Sequence, residues 1–245
     1  MSASPQQSTE VELSVVIPAY NEEESLHACV EELAGVMGGI GRPYEIVVVD
    51  DGSTDGTFSV LRAAKQRVPA LVALRLEQRC GQTAAFDAGF KAARGQVVIT
   101  LDADLQNDPG GIPQLLAALE QYDVACGYRR ERHDSLTRRI SSRTANWVRN
   151  ALTHEQIRDV GCSLRAMKAE CLRDLKLYDG MHRFLPTLLR MDGWTITEVP
   201  VDHRRRRWGR GKYGVWNRLF RGLRDVFAVR WMRSRWLDYR IAERL

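Results

Sequence analysis

Short apolar runs alternate with amphipathic stretches through the first hundred positions of the chain. Leu13-Ser14-Val15-Val16-Ile17, Glu45-Ile46-Val47-Val48-Val49, Leu71 to Leu76 and Gln96-Val97-Val98-Ile99-Thr100-Leu101 are rich in β-branched residues and predict four strands. Between them the spacing predicts three helices. The first covers 21–35 with Asn21 as its cap, the second starts from a cap among Ser53, Thr54 and Asp55 and runs to about Arg67, and the third covers 82–94 with Gly95 as its stop. Strands that are apolar at nearly every position are buried on both faces, so the fold class is α/β. We expect a mostly parallel central sheet with helices on both faces. In such sheets ligands bind beyond the carboxyl ends of the strands, where the strand order reverses. The second half is less regular. Asp123–Gly127 and Trp194–Val201 read as strands, Ser163–Ala166 as a short extended piece, 135–152 as helical, and 172–177 and 182–191 as including helix.

Charge divides the chain where the hydrophobic pattern does not. Residues 201–245 hold 14 of the 36 Lys and Arg and 4 of the 31 Asp and Glu, a balance of +10, which leaves −5 on the other 200 residues. A basic tail on a mildly acidic body points to an anionic partner. We therefore expect a disordered start at 1–11, one catalytic-sized domain at 12–202 and a basic tail at 203–245. The start has no apolar core of a secretory signal, and no stretch approaches the ~18 apolar residues of a membrane span. The five cysteines are scattered without a CxxC pair, which excludes a disulfide framework or a zinc site as the organising principle. The five histidines show no shared metal spacing.

Three strand ends carry the candidate chemistry. The first is Pro18-Ala19-Tyr20-Asn21-Glu22, the second Asp50-Asp51-Gly52-Ser53-Thr54-Asp55-Gly56-Thr57, and the third Asp102-Ala103-Asp104-Leu105-Gln106. In an extended segment residues i and i+2 point the same way, so Asp102 and Asp104 present two carboxylates to one side with Gln106 beyond. Oxygen donors so placed suit Mg²⁺ or Mn²⁺ held jointly with substrate phosphates. Acidic strand ends are also common as caps and solubilisers, and a D-x-D alone is a weak signal. Three in one alternating unit carry more weight.

With these three segments the chain resembles family 2 glycosyltransferases of GT-A fold, in particular the polyprenyl-phosphate branch typified by dolichol-phosphate mannose synthase. The likeness extends through Gly127-Tyr128-Arg129, Arg138-Arg139 with Ser142, Asp159-Val160-Gly161-Cys162-Ser163-Leu164-Arg165-Ala166, Glu198-Val199-Pro200-Val201 and Arg206-Arg207-Trp208-Gly209-Arg210-Gly211-Lys212, and spans roughly residues 12–230. It implies that Pro18, Tyr20, Glu22 and Asp51 line the nucleotide pocket, with Asp51 accepting from a base N–H. It implies that Asp102 lies near the sugar-diphosphate and that Asp104 and Gln106 ligate the metal. Arg129, Arg139, Ser142 and Arg206 would grip donor and acceptor phosphates, with Lys212 closing the site, and Asp102, Asp104, Arg129 and Arg206 would form the catalytic set. Two positions depart from the family: Gly211 stands where serine often precedes the lysine, and Gln82 where many relatives have a basic residue.

The resemblance implies inverting transfer of a sugar from a nucleotide-diphosphate sugar to a polyprenyl phosphate, dolichyl or undecaprenyl, on the cytoplasmic face of a membrane. A phosphate monoester is already anionic near pH 7, its second pKa being near ~6, so it needs no general base. Alignment and charge stabilisation then suffice. Two alternatives stay open: transfer to a glycan hydroxyl, for which Asp159 is the one candidate base, and a non-catalytic nucleotide-sugar scaffold. Asp159 also reads simply as a loop acid paired with a nearby arginine. In the tail, Val215, Trp216, Leu219, Phe220, Leu223, Val226 and Phe227 recur at helical spacing with Arg218, Arg221 and Arg224 between them. A basic amphipathic helix of this kind suits an anionic membrane surface, and its apolar stripe equally suits packing on the domain or on another subunit. We expect peripheral attachment, with a separate integral membrane partner, and no nucleic-acid binding, since no nucleic-acid motif accompanies the basic run.

Overall fold

The computed structural model describes residues 10–130, 157–204, 215–237 and 243. The four predicted strands form as β1 (Leu13–Ala19), β2 (Tyr44–Asp50), β3 (Leu71–Arg75) and β4 (Val97–Thr100), alternating with α1 (Glu23–Ile40), α2 (Thr57–Arg67) and α3 (Gln82–Ala92). There follow α4 (Ile112–Ala118), β5 (Val124–Arg129), β6 (Arg165–Lys168), α5 (Leu185–Met191), β7 (Ile196–Val201) and α6 (Val215–Ser234). The described strands make one seven-stranded sheet in the order β3-β2-β1-β4-β6-β5-β7. Its pairings are parallel except that β6 runs antiparallel to both β4 and β5.

The two-residue period of a strand explains the layering. Leu13, Val15, Ile17 and Ala19 of β1, with Ile46 and Val48 of β2, face a core built with Leu26, Val30, Leu33 and Met37 of α1 and Leu61 of α2. Val16, Val47 and Val49 face the other way, onto Ala85 and Phe86 of α3. Helices thus cover both faces, and every residue of β1 is buried.

Several boundaries differ from expectation, each for a local reason. The first helix starts at Glu23, not Asn21, because Asn21 takes a left-handed φ of 51° and spends its side chain on the neighbouring loop. It runs on past Gly35 to Ile40, since Met37 continues the buried stripe, and it ends where Gly41 turns left-handed with φ 73°. Residues 173–177 are not helical. A 3₁₀ turn over Ala169–Leu172 precedes them, and another over Met181–Phe184 leads into α5. The helix expected over 135–152 lies outside the described residues.

The tail helix α6 is not a free appendage. Val226 and Val229 are buried against Met181, Phe184 and Leu188. Its other side leaves Phe227 and Trp231 about three-fifths exposed, at 59% and 63%.

Candidate active site at the carboxyl ends of β1, β2 and β4

The chain runs outward from β1 to β2 and β3, then returns to place β4 on the other side of β1. The reversal therefore falls between β1 and β4, which is where an open α/β sheet forms its crevice. The loops that follow β1, β2 and β4 meet there.

The first two loops are laced together. The Asn21 N–H donates to Ser53 Oγ at 2.9 Å, the Thr54 N–H donates to Asn21 Oδ1 at 2.9 Å, and the Glu22 N–H donates to Thr57 Oγ1 at 2.9 Å. Glu22 also accepts from Ser25 Oγ at 2.7 Å. Asp51 is buried, and its carboxylate accepts from the backbone N–H groups of Cys80 (2.7 Å) and Gly81 (2.9 Å). It thereby pins the β3–α3 loop. A carboxylate has about four acceptor positions, so these bonds leave capacity for a base N–H. In that loop the Arg79 guanidinium lies 4.2 Å from the Tyr20 ring centroid, a cation–π contact between the loops that follow β1 and β3. Pro18 is buried within β1 opposite Val49.

Beyond β4 the chain does not stay extended. Leu105 turns left-handed with φ 57°, and Asp104 Oδ1 accepts the Gln106 N–H at 3.1 Å. Burial nevertheless alternates through the turn. Leu101, Ala103, Leu105 and Asn107 are buried, whereas Asp102, Asp104 and Gln106 are partly exposed. The three expected oxygen donors therefore share the more open side, by a turn and not by the straight strand the spacing suggested. Asp102 Oδ1 accepts from Gln82 Nε2 at 2.9 Å, and the Asp102 N–H donates to Ser163 Oγ at 3.1 Å. Ser163 also accepts from Asn107 Nδ2 at 2.8 Å, so it ties both ends of the acidic loop.

Negative charge concentrates under this loop. Burial first, then the charges of Asp104, Glu32, Asp102 and Glu22, push the Cys29 thiol up to about 12. Among the described residues no three His, Cys, Asp or Glu side chains cluster to hold a cation unaided. The donor set of two carboxylates and one amide, in a field this acidic, fits a hard divalent cation completed by phosphate oxygens.

Arg129, expected to grip phosphate, has its guanidinium on Asp159: Nε to Oδ2 at 2.6 Å and Nη2 to Oδ1 at 2.8 Å. The pairing reading of Asp159 is thus the one seen. Arg204, just past β7, places its N–H on the Gln106 carbonyl at 2.7 Å and its guanidinium on Glu32 and Asp108 at 2.6 and 2.8 Å. This delivers the start of the basic segment to the acidic loop. Arg139, Ser142, Arg206 and Lys212 lie outside the described residues. Sequence reasoning passed over Arg79 and Asn107, treated Arg204 only as the start of a basic run, and gave no role to Ser163 or Gln82. Ser163 lay inside a quoted motif, but nothing local marked the partners of its hydroxyl, Asn107 and Asp102, which lie 56 and 61 positions away.

This sheet order and loop set define the nucleotide-diphospho-sugar transferase fold of the GT-A type. Glucosyl-3-phosphoglycerate synthase from Mycobacterium tuberculosis, crystallised with Mn²⁺, UDP and glucosyl-3-phosphoglycerate, has the same fold. Its TM-score is 0.70 at 22% identity, over 93% of this chain and 81% of that one. Residues 14–175 match the family described as Glycosyl transferase family 2, and the chain belongs to that family. It is 39% identical over 225 residues to a dodecaprenyl-phosphate galacturonate synthase of Rhizobium johnstonii, covering 89% of this chain and 66% of that protein. It is 40% identical over 205 residues to an undecaprenyl-phosphate 4-deoxy-4-formamido-L-arabinose transferase of Edwardsiella ictaluri, covering 83% and 63%. The chain therefore spans just under two thirds of the length of these curated relatives.

Proposed function

We propose that this chain transfers a sugar, with inversion, from a nucleotide-diphosphate sugar to a polyprenyl phosphate at the cytoplasmic surface of a membrane. The observation that carries the proposal is the linkage of the loops beyond β2 and β4 at the β1/β4 reversal, Asp51 bonded to Gly81 and Asp102 to the adjacent Gln82, in a chain whose relatives bear the names of polyprenyl-phosphate sugar transferases. Asp104 and Gln106 would hold Mg²⁺ or Mn²⁺, with Asp102 beside the sugar-diphosphate. When bound, the cation neutralises charge on the departing nucleoside diphosphate. Glu22 and Asp51 hold the nucleotide loop in shape, and Arg79 backs the Tyr20 ring.

The acceptor phosphate attacks the anomeric carbon as an anion, and the anomeric carbon–oxygen bond to the diphosphate breaks. No proton needs to be removed. A hydroxyl acceptor fits less well, because the candidate base Asp159 has both oxygens engaged by Arg129. Arg206 and Lys212 would meet the acceptor phosphate, following Arg204 along the chain, together with Arg139 and Ser142. Attachment would use the exposed Phe227 and Trp231 and the neighbouring arginines of α6, beside a separate integral membrane protein that takes the product onward.

The test is incubation of labelled UDP- and GDP-sugars with polyprenyl phosphate and Mn²⁺. Label should enter the organic phase in a form released by mild acid. Label that stays aqueous with every donor, while a glycan acceptor becomes labelled, would replace this reading with hydroxyl transfer.

A further inference from the structure

The first turn of α3 carries Gln82 to Asp102, yet nothing local fixes that turn. Its N-cap is Gly81, and no side chain caps the helix from within its own segment. The leading N–H groups of a helix have no intrahelical acceptors, so an uncapped start frays unless tertiary contacts hold it. Here they do. Gly81 is held by Asp51, and Thr83, which is buried, is held from the opposite side. The Thr83 hydroxyl oxygen accepts the Gly180 N–H at 3.0 Å and lies 2.7 Å from His182 Nδ1.

The turn behind Thr83 is braced by contacts of its own. Arg165, a buried residue of β6, donates from Nη1 to the His182 carbonyl and from Nη2 to the Val160 carbonyl, each at 3.1 Å. Gly180 has φ 84°, and a Cβ there would lie 2.6 Å from Oδ2 of Asp225, a buried residue of α6. The tail helix thus closes over this turn, with Val226 and Val229 packed on Met181 and Phe184. His182 is neutral near pH 7, because burial first and then Arg183 and Arg165 push its pKa down to about 3. A neutral imidazole with its hydrogen on Nε2 accepts the Thr83 hydroxyl proton at Nδ1, which gives the hydroxyl a defined direction.

We infer that Thr83, seated between Gly180 and His182, is a positioning residue that fixes the first turn of α3 and, through Gln82, the orientation of the Asp102 carboxylate in the site. This rests on the proposed transfer reaction for its kinetic readout. The bond from Gln82 to Asp102 is exposed, and a side-chain amide on a fraying turn would not hold a carboxylate in place. Anchored by Thr83, it does.

Thr83→Val keeps the shape and deletes the hydroxyl, whereas Thr83→Ser keeps the hydroxyl. With polyprenyl phosphate and the preferred donor, Thr83→Val should lower kcat about tenfold with the acceptor KM unchanged, and Thr83→Ser should restore most of it. In a Gln82→Ala background Thr83→Val should cause no further loss, because the link is already cut. A tenfold loss that recurs in that background, or a Thr83→Val enzyme as active as the parent, overturns the inference. If the parent protein transfers no sugar to polyprenyl phosphate, the functional reading fails instead, and positioning is read from calorimetry of UDP with Mn²⁺. Thr83→Val should then weaken UDP binding while Thr83→Ser does not; equal binding by all three proteins overturns the inference on that arm.

Discussion

Leu105 holds a left-handed backbone, φ 57°, that a branched side chain adopts only at a cost on the order of 1–3 kcal/mol. Burial of its side chain in the main core offsets that cost and holds the turn after β4 in this form. The turn sends Asp102, Asp104 and Gln106 to the open side. Replacing Asp104 by Ala should leave the thermal midpoint nearly unchanged, since the side chain is partly exposed. It should cut kcat/KM about 10²-fold or more and abolish the enhancement of UDP binding by Mn²⁺. UDP titrations with and without Mn²⁺ check this. A second residue-scale prediction concerns His182, whose pKa is pushed down to about 3 from an ordinary 6.5. Below pH 6.5 the unfolded chain takes up a proton there and the folded chain does not, so this contribution to stability is complete above pH 6.5. It is lost progressively as pH falls toward 3. Melting curves from pH 7.5 to 4 should show the decline, and a His182→Asn variant should show a shallower one.

At the scale of elements, α3 lies so close to β1 that Gly89 leaves no room for a side chain: a Cβ would run into Val16 Cγ1. Helix propensity alone says that Gly→Ala stabilises a helix interior by up to about 1 kcal/mol. Here the sign reverses, because Val16 and the next neighbour, Val49 at 3.3 Å, are core residues of a packed sheet. Gly89→Ala should destabilise by about 1–3 kcal/mol, seen as a lower urea midpoint with an unchanged slope. The strands were legible because continuous β-branched runs have few other solutions. Helix ends were less so. Asn21 looks like a cap by residue type, but Ser53 and Thr54, over thirty positions away, take its hydrogen bonds. The tail helix was legible as amphipathic, and its face division was not. Which stripe the domain covers depends on Met181 and Phe184, which the periodicity of the tail itself does not reveal.

For the whole molecule, a body of net charge −5 carries a tail of +10, and the tail helix docks while keeping Phe227 and Trp231 outward. Each Lys or Arg near an anionic leaflet is worth about 1 kcal/mol, and salt screens it. The protein should therefore float with vesicles that contain anionic lipid and be released by high salt. Phe227→Ser with Trp231→Ser should weaken vesicle binding about tenfold or more without lowering the thermal midpoint. Protein that stays entirely in the soluble fraction with such vesicles would remove the membrane part of the proposal.

What the sequence determined by itself was whatever local chemistry encodes: apolar runs that must be strands, acids placed just beyond three of them, and motifs sufficient to indicate the family. Period-2 burial and chain reach make those features readable from neighbours alone. Only the tertiary structure decided what depends on residues brought together from afar. It inverted β6, spent Arg129 on Asp159 at a separation of 30 positions, and set His182 against Thr83 at a separation of 99. Hydrogen bonds and ion pairs act over about 3 Å in space and have no reach along the chain, so the partners that finish the site are chosen by packing.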